Sequence, residues 1–415
     1  MKIKTLKRNR KYFYMGIICG VILLSILVFN VSRAKYKSTE SIELARGTIN
    51  YTVPDLNLVS MYVNDNGEYK GTDTVPQSGY KLNQEKSYCT INGNKESSII
   101  IDYNNGKLNV NNLTKKGTKC YLYFDKLSAK DTLAKFRGIN SILTRTDFST
   151  ILSTDTTGTI YSAADDYGTS YYFAGNPTDN WVKFAGFYWR IIRINGDGTI
   201  RMIYQGDSAN TTGTGTQIGT STFNSNYNDN MYVGYQYTNN EVHGRGTDSN
   251  IKGVLDSWYN SNLNSYSEYI ATGEGATFCN DRLTYFGTGL DNTDTFYAPR
   301  NRLFDKKDPS FKCQNDSDKF DVSIGLVTAD EVAYAGGVCN INNQSYYLNT
   351  NQQYWTISPG LFYNGNVYMF NVYSDGTLNG YYTNNFYGVR PVINLKADVN
   401  FSSGNGTNSD PFLIS

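Results

Sequence analysis

The chain has 415 residues, a length that points to two or three domains, and its 38 basic and 37 acidic side chains nearly balance. Six of the basic residues (Lys2, Lys4, Lys7, Arg8, Arg10 and Lys11) precede the first apolar run, so the remainder is slightly acidic; this argues against a phosphate-binding surface, and no nucleic-acid partner is expected. The lone His243 removes most imidazole-based catalytic and zinc schemes, while 36 Tyr, 38 Gly and 8 Pro point to strands and many turns.

After a basic tail (residues 1–12), Phe13 to Val31 is an apolar run whose one strongly polar side chain is Asn30. As a helix it would extend about 28 Å, enough for a bilayer core. The basic tail would stay cytoplasmic and the C-terminal bulk would lie outside, as a single-pass protein of the cell membrane. Ser32-Arg33-Ala34 keeps a cleaved signal peptide, and hence secretion, as the alternative. The run exceeds most signal cores and basic residues follow it, which favours an uncleaved anchor. The cysteines agree with an outside placement. Pairing Cys89 with Cys120 and Cys279 with Cys313 would close two local loops, each contributing about 3–4 kcal/mol in the chain-entropy model. Cys339 is left over and is able to replace one of those partners. There is no Cys-x-x-Cys, and no metal or cofactor is expected.

Residues 45–125 show short strand-like runs: Thr48–Val53, Leu58–Val63, Ser98–Tyr103, Lys107–Val110 and Cys120–Phe124, divided by Asn/Asp/Gly turns. They predict a small all-β sandwich, immunoglobulin-like, acting as a spacer. Residues 126–158 change character. Leu127, Leu133, Phe136, Ile139 and Leu143 recur near helical spacing, and a Ser/Thr-rich linker follows.

The second domain spans residues 159–400. Gly186 to Tyr204 reads as a hairpin around Gly196-Asp197-Gly198, with Ile194 opposite Ile200 and Ile192 opposite Met202. Asp197 at its tip is turn chemistry rather than a calcium ligand. Gly206 to Asn240 predicts a long exposed loop. Ile251, Val254, Leu255, Trp258 and Tyr259 mark a helix capped by Ser249 or Asn250. Thr284 to Ser310 is a polar insert without periodicity. Thr328-Ala329-Asp330-Glu331 is a capping box, and its helix ends at Gly336-Gly337. Residues 401–415 read as a tail.

The stretch Tyr354 to Lys396 is dominated by Tyr, Asn and Gly between Tyr363 and Tyr387, the composition of paratopes. Val367–Tyr373 and Thr377–Tyr382 predict a hairpin around Ser374-Asp375-Gly376. A three-residue loop pairs Val372 with Leu378, Asn371 with Asn379 and Tyr373 with Thr377. Phe370, Val372 and Leu378 would face inward; Asn371, Tyr373, Asn379 and Tyr381 would be displayed.

The ordered set Tyr188-Trp189-Arg190-Ile191-Ile192, the Trp258 helix, Ile324 to Glu331, Tyr354-Trp355-Thr356-Ile357-Ser358-Pro359 and Gly388-Val389-Arg390-Pro391-Val392-Ile393 resembles a family of bacterial surface domains. That family resembles the formylglycine-generating-enzyme branch of the C-type-lectin-like fold. The resemblance covers residues 159–397. It implies an α+β, C-type-lectin-like C-terminal domain behind the small all-β domain and the N-terminal transmembrane helix. It also implies a variable ligand-binding segment of the kind diversified by retroelements, matching Tyr363 to Tyr387. Candidate contact residues are Tyr363, Asn364, Asn366, Asn371, Tyr373, Asn379, Tyr381, Asn384, Asn385 and Tyr387. By the same match Trp189, Trp258, Trp355, Ser358, Pro359, Gly388, Arg390 and Pro391 would be framework, with Asp330 or Glu331 as partners for Arg390. The enzyme's closely spaced Cys pair and the lectin's Glu-Pro-Asn and Trp-Asn-Asp motifs are missing, so neither the oxidation nor the calcium site carries over.

Three readings follow. The first is a membrane-anchored surface protein binding an extracellular protein or glycan, without catalysis. The second is a non-binding structural envelope component. The third is an extracytoplasmic enzyme, which requires a pocket holding a usable carboxylate pair.

Overall fold

The structure is a computed structural model and describes residues 57–414 except Asn66, 77–78, Asn92, Asn105, 113–116 and 139–140. The expected basic tail, membrane run and first strand, and Ile139, lie outside the described residues. Among the described residues no helix is long and apolar enough to cross a membrane.

Residues 57–126 form a mixed sheet. Its order is Glu68–Thr72, Asn57–Asp65, Thr118–Lys126, Tyr88–Ile91, Asn94–Lys95, with Tyr80–Leu82 also on Thr118–Lys126. Thr118–Lys126 shows why the sheet has an inside. Thr118, Cys120, Leu122 and Phe124 alternate inward, as a period of two requires of a strand with one covered face. The hairpin Ile100–Asn104/Lys107–Asn111 supplies the cover, packing Leu108 and Val110 toward Met61, Leu122 and Phe124. Asn57–Asp65 runs parallel to Thr118–Lys126, so the unit's first and last described strands lie side by side. Cys89 and Cys120 are direct cross-strand partners and are disulfide-bonded.

The connecting helix is Ala129–Arg137, shorter than the sequence pattern suggested. Ser128 caps it in a reciprocal box with Asp131. Its C-terminal end is fixed from outside: Arg137 pairs with Asp179, and Phe136 packs on Phe401 and Phe412. Ile142–Leu143 is strand rather than helix, because it pairs in parallel with Ile160–Asp165. The Ser/Thr-rich linker that follows is irregular but held, with the Arg145 guanidinium donating to the carbonyls of Ala333 and Tyr334.

Two sheets build the larger unit. The first runs Phe401–Ser403, Phe412–Ile414, Trp181–Phe184, Phe187–Ile194, Gly168–Tyr172, Ile160–Asp165, Ile142–Leu143, with Ile200–Gly206 joining Phe187–Ile194 to Val392–Leu395. The second runs Thr220–Ser221, Tyr387–Gly388, Tyr354–Tyr363, Thr295–Tyr297, Thr284–Phe286, with Asn366–Val372 and Leu378–Tyr382 extending from Tyr354–Tyr363. One apolar cluster, from Trp189 and Ile203 to Trp355 and Met369, spans both. The helix Asn250–Asn262 starts at Ser249, whose Oγ accepts from Lys252 N, and packs Ile251 and Leu255 into the cluster.

Packing corrects three expectations. In the hairpin Phe187–Ile194/Ile200–Gly206, Ile194 faces Ile200, but Met202 faces Ile191 rather than Ile192. Ile191, Ile192 and Arg193 are all buried, so no solvent side enforces strict alternation and an irregularity is tolerated. Residues 206–240 are not an exposed loop: Phe223, Asn230 and Tyr235 are fully buried, and Asn230 Nδ2 donates to the carbonyls of Asp291 and Thr293. Residues 401–415 are not a free tail, because Phe401–Ser403 and Phe412–Ile414 are strands of the first sheet.

Candidate ligand-contact surface

Tyr354–Tyr363 and Asn366–Val372 are antiparallel, with Tyr363 opposite Asn366. Between them Asn364 and Gly365 both have positive φ (49° and 75°), the type I′ turn that an Asn-Gly pair favours. Asn364 therefore has a backbone role. Its N–H donates to Asp294 Oδ1 (3.1 Å), and Asn366 Nδ2 donates back to its carbonyl (2.8 Å). The next connection keeps the expected register: Asn371 faces Asn379, Val372 faces Leu378, and Tyr373 N donates to Thr377 O (2.9 Å).

The tip of this second hairpin is docked. Asn343 N donates to Asp375 O (3.2 Å) and Tyr346 Oη to Gly376 O (3.2 Å). A Cβ on Gly376 would overlap the Asn343 carbonyl. Ser374 stays exposed at the tip, and the flanks carry the half-buried tyrosines.

One member of the expected display face is misplaced. Asn371 is 0 % exposed, and neither side-chain amide atom has a hydrogen-bond partner among the described residues. Its strand is buried on both faces, with Phe370 and Val372 on one and Met369 and Asn371 on the other, so alternation does not deliver Asn371 to solvent. The other candidates separate into two groups. Tyr373, Tyr381 and Tyr387 are half-buried and touch edge to face, with centroids 6.3 Å and 5.5 Å apart, and Tyr387 rests on Trp355 at 5.0 Å. Burial, then the neighbouring Tyr381 and Tyr373 phenols, push the Tyr387 phenol up to about 12, so it stays a neutral hydroxyl at physiological pH. Tyr363 (51 % exposed) and Asn379 lie instead along a groove described below. Asn384 is exposed, whereas Asn385 N and Nδ2 both donate to Tyr382 O (3.2 and 3.4 Å), a turn role.

The groove has a volume of about 360 Å³. It lies beside the hairpin, with Phe370, Gly360 and Gly380 along it, flanked by Tyr363, Tyr368, Phe304, Arg300, Asn340 and Asn379. Tyr368 packs on Tyr382 across the strands at 4.6 Å. Around Tyr363, Phe296 continues the aromatic surface to Tyr285 and Phe286, and Arg300 lies over Phe296 at 4.7 Å. The sequence reading missed Arg300, Phe304 and Phe286. They come from the aperiodic 284–310 insert, where the only available signal was Phe and Arg in an otherwise polar stretch. Tyr368, Tyr382 and Phe386 (71 % exposed) were also passed over inside the Tyr/Asn segment itself.

The framework positions are interior. Trp189 and Trp355 are fully buried and donate their indole N–H to Phe184 O (3.1 Å) and Ser221 O (2.8 Å). Ser358 Oγ accepts from Ala329 N (2.9 Å) at the start of the helix Ala329–Ala335, and Pro359 and Pro391 are both buried. A Cβ on Gly388 would collide with the Gln217 side chain. Trp258 is only half-buried, packed on Phe187 and Tyr204. Arg390 is fully buried but has no carboxylate partner among the described residues. It donates to Leu348 O (2.8 Å), Tyr204 O (3.1 Å) and Gln205 Oε1 (2.9 Å) and lies over Tyr354.

The carboxylates expected beside Arg390 belong to another cluster. Glu331 pairs with Arg193 and Arg201; Asp330 makes two bonds to Arg302 (2.9 and 2.8 Å), which also faces Asp281 at 2.7 Å. Burial pushes the Glu331 carboxyl up, but Arg201 and Arg193 outweigh it and hold it below the usual range. These groups line a cavity of about 40 Å³, with the disulfide-bonded Cys279 and Cys313 also in its lining. The volume is small, and Glu331, Asp330 and Asp281 are each ion-paired with an arginine.

Set against known proteins, the chain matches no protein-family model, no curated sequence and no solved structure.

Proposed function

We propose that this chain is a membrane-anchored bacterial surface protein that binds an extracellular protein or glycan through the flanks of the Asn366–Val372/Leu378–Tyr382 hairpin and the residues beside it. The observation that carries the reading is the contrast within one segment. Trp355, Ser358 and Arg390 are locked in the interior, while Tyr363, Tyr373, Tyr381, Asn384, Phe386 and Tyr387 reach the surface between them. Stiff aromatic side chains on a rigid frame lose little entropy on contact, which suits recognition. The two disulfides suit an oxidising exterior. No cofactor, metal or nucleic acid enters the proposal.

One observation favours the plain structural reading instead: Asn364, Asn366 and Asn385 are consumed by turns, which lowers the number of candidates left for a ligand.

The test passes bacterial and host surface extracts over the full-length chain held through its N-terminus. Beside it stands a variant with Tyr363, Tyr373, Tyr381 and Phe386 changed to Ser and an unchanged melting temperature. A component retained by the parent alone supports binding through this face. Identical profiles would leave the structural reading.

A further inference from the structure

We infer that the groove beside the hairpin is a subsite for a neutral oligosaccharide. This rests on the binding reading above and names the ligand class that the groove chemistry fits. Three observations converge. First, the walls carry partly exposed rings, Tyr363, Tyr368 and Phe304, above the buried Phe370. The faces of such rings are electron-rich and attract the polarised C–H face of a pyranose. Second, among the described residues no carboxylate lines the groove and Arg300 is its one cation, already engaged by Tyr285 Oη (2.9 Å) and Asp305 (3.6 Å), so an anionic ligand finds no unshared charge from them.

Third, the remaining polar groups are amides in a fixed relay. Asn379 Oδ1 accepts from Gly380 N (2.8 Å) and Asn379 Nδ2 donates to Asn340 Oδ1 (2.8 Å). Among the described residues Asn340 Nδ2 makes no hydrogen bond, and its residue is exposed. The relay holds that amide with two N–H donors outward, a match for vicinal hydroxyl oxygens. Gly360 and Gly380 keep the floor low, and the volume of about 360 Å³ accommodates a disaccharide.

Gly380 supplies the test. A Cβ there meets Tyr368 Cβ and Met369 O only at ordinary contact distances (3.6 and 3.7 Å), and its φ is not positive, so Gly380→Leu can fill the groove without backbone strain. Asn340→Gly removes the amide and suits the local φ of 63°. Gly253→Leu, at a helix surface with nothing near its Cβ, is the matched control. Each full-length protein is applied to immobilised neutral di- to tetrasaccharides of hexose and N-acetylhexosamine. Retention by the parent and the control, weakened about tenfold or more by Gly380→Leu and by Asn340→Gly, is the expected result. Retention that neither variant alters would remove the sugar from this groove. A chain that captures a protein through the hairpin but no saccharide overturns this inference and leaves the binding reading standing; a chain that retains neither overturns both.

Discussion

Asp281 has a left-handed backbone (φ 43°) and a buried carboxyl that is ion-paired with Arg302. Burial raises its pKa, Arg302 opposes, Asp330 raises it again, and the balance lifts it to about 6. The unfolded chain loses this proton near pH 4. Between about pH 4 and 6 the folded chain therefore holds a proton that the unfolded chain lacks, and this group's contribution to stability falls as pH rises through that window. Asp281→Asn should abolish that fall. Thermal melts should show the variant gaining on the parent from about pH 4 to pH 7. An unchanged difference between the two would mean that Asp281 ionises normally. Cys339 makes a second residue-scale case. Burial pushes its thiol up to about 12, so in the native chain it should resist iodoacetamide at about pH 8 and react once unfolded, as read by peptide-resolved mass spectrometry. Rapid native labelling at Cys339 would contradict its burial.

At the scale of elements, the hairpins were legible where a turn signal and a period of two agreed. Ser374-Asp375-Gly376 between two alternating runs set the register of Val372 against Leu378. The capping box at Thr328 and Glu331 was equally local, and both its bonds form. What local pattern could not supply was the identity of the covering layer. Asn371 occupies an outward position by alternation and is nevertheless buried, because a strand inside two packed layers has no outward side. Glu331 caps its helix and also neutralises two arginines more than a hundred residues earlier, which no sequence spacing announces. The Asn364-Gly365 pair was a missed signal: it is a hairpin turn before it is a ligand contact. The division between frame and surface predicts a split in stability. Trp355→Ala opens a cavity under the hairpin and should cost about 3–5 kcal/mol, while Tyr381→Ala, half-exposed, should stay within about 1 kcal/mol in denaturant titrations. Equal losses would contradict the assignment of the two positions.

Across the whole molecule, the sequence revealed the local disulfides, because Cys89–Cys120 and Cys279–Cys313 each join neighbours in space that are also near in sequence. It concealed the closure of the larger unit. Phe401–Ser403 and Phe412–Ile414 read as a tail since two three-residue strands carry almost no periodic signal, yet they complete the first sheet against Trp181–Phe184. The 206–240 segment looked like loop because its Thr, Gly and Asn outnumber the few anchors, Phe223 and Tyr235, that bury it. The groove was hidden for a related reason: Arg300, Phe304, Asn340, Tyr368 and Asn379 are brought together only by tertiary packing. The central claim is that this packing holds a rigid frame behind a surface that contacts a ligand. It is tested most directly by measuring Kd for the retained component alongside the melting temperature, for Tyr373→Ala, Tyr381→Ala and, as a remote control, Tyr69→Ala. The account predicts about tenfold or greater weakening for the first two, melting within about 2 °C of the parent, and no change for the control. Equal affinity in all three, or losses that merely follow the melting temperature, would contradict it.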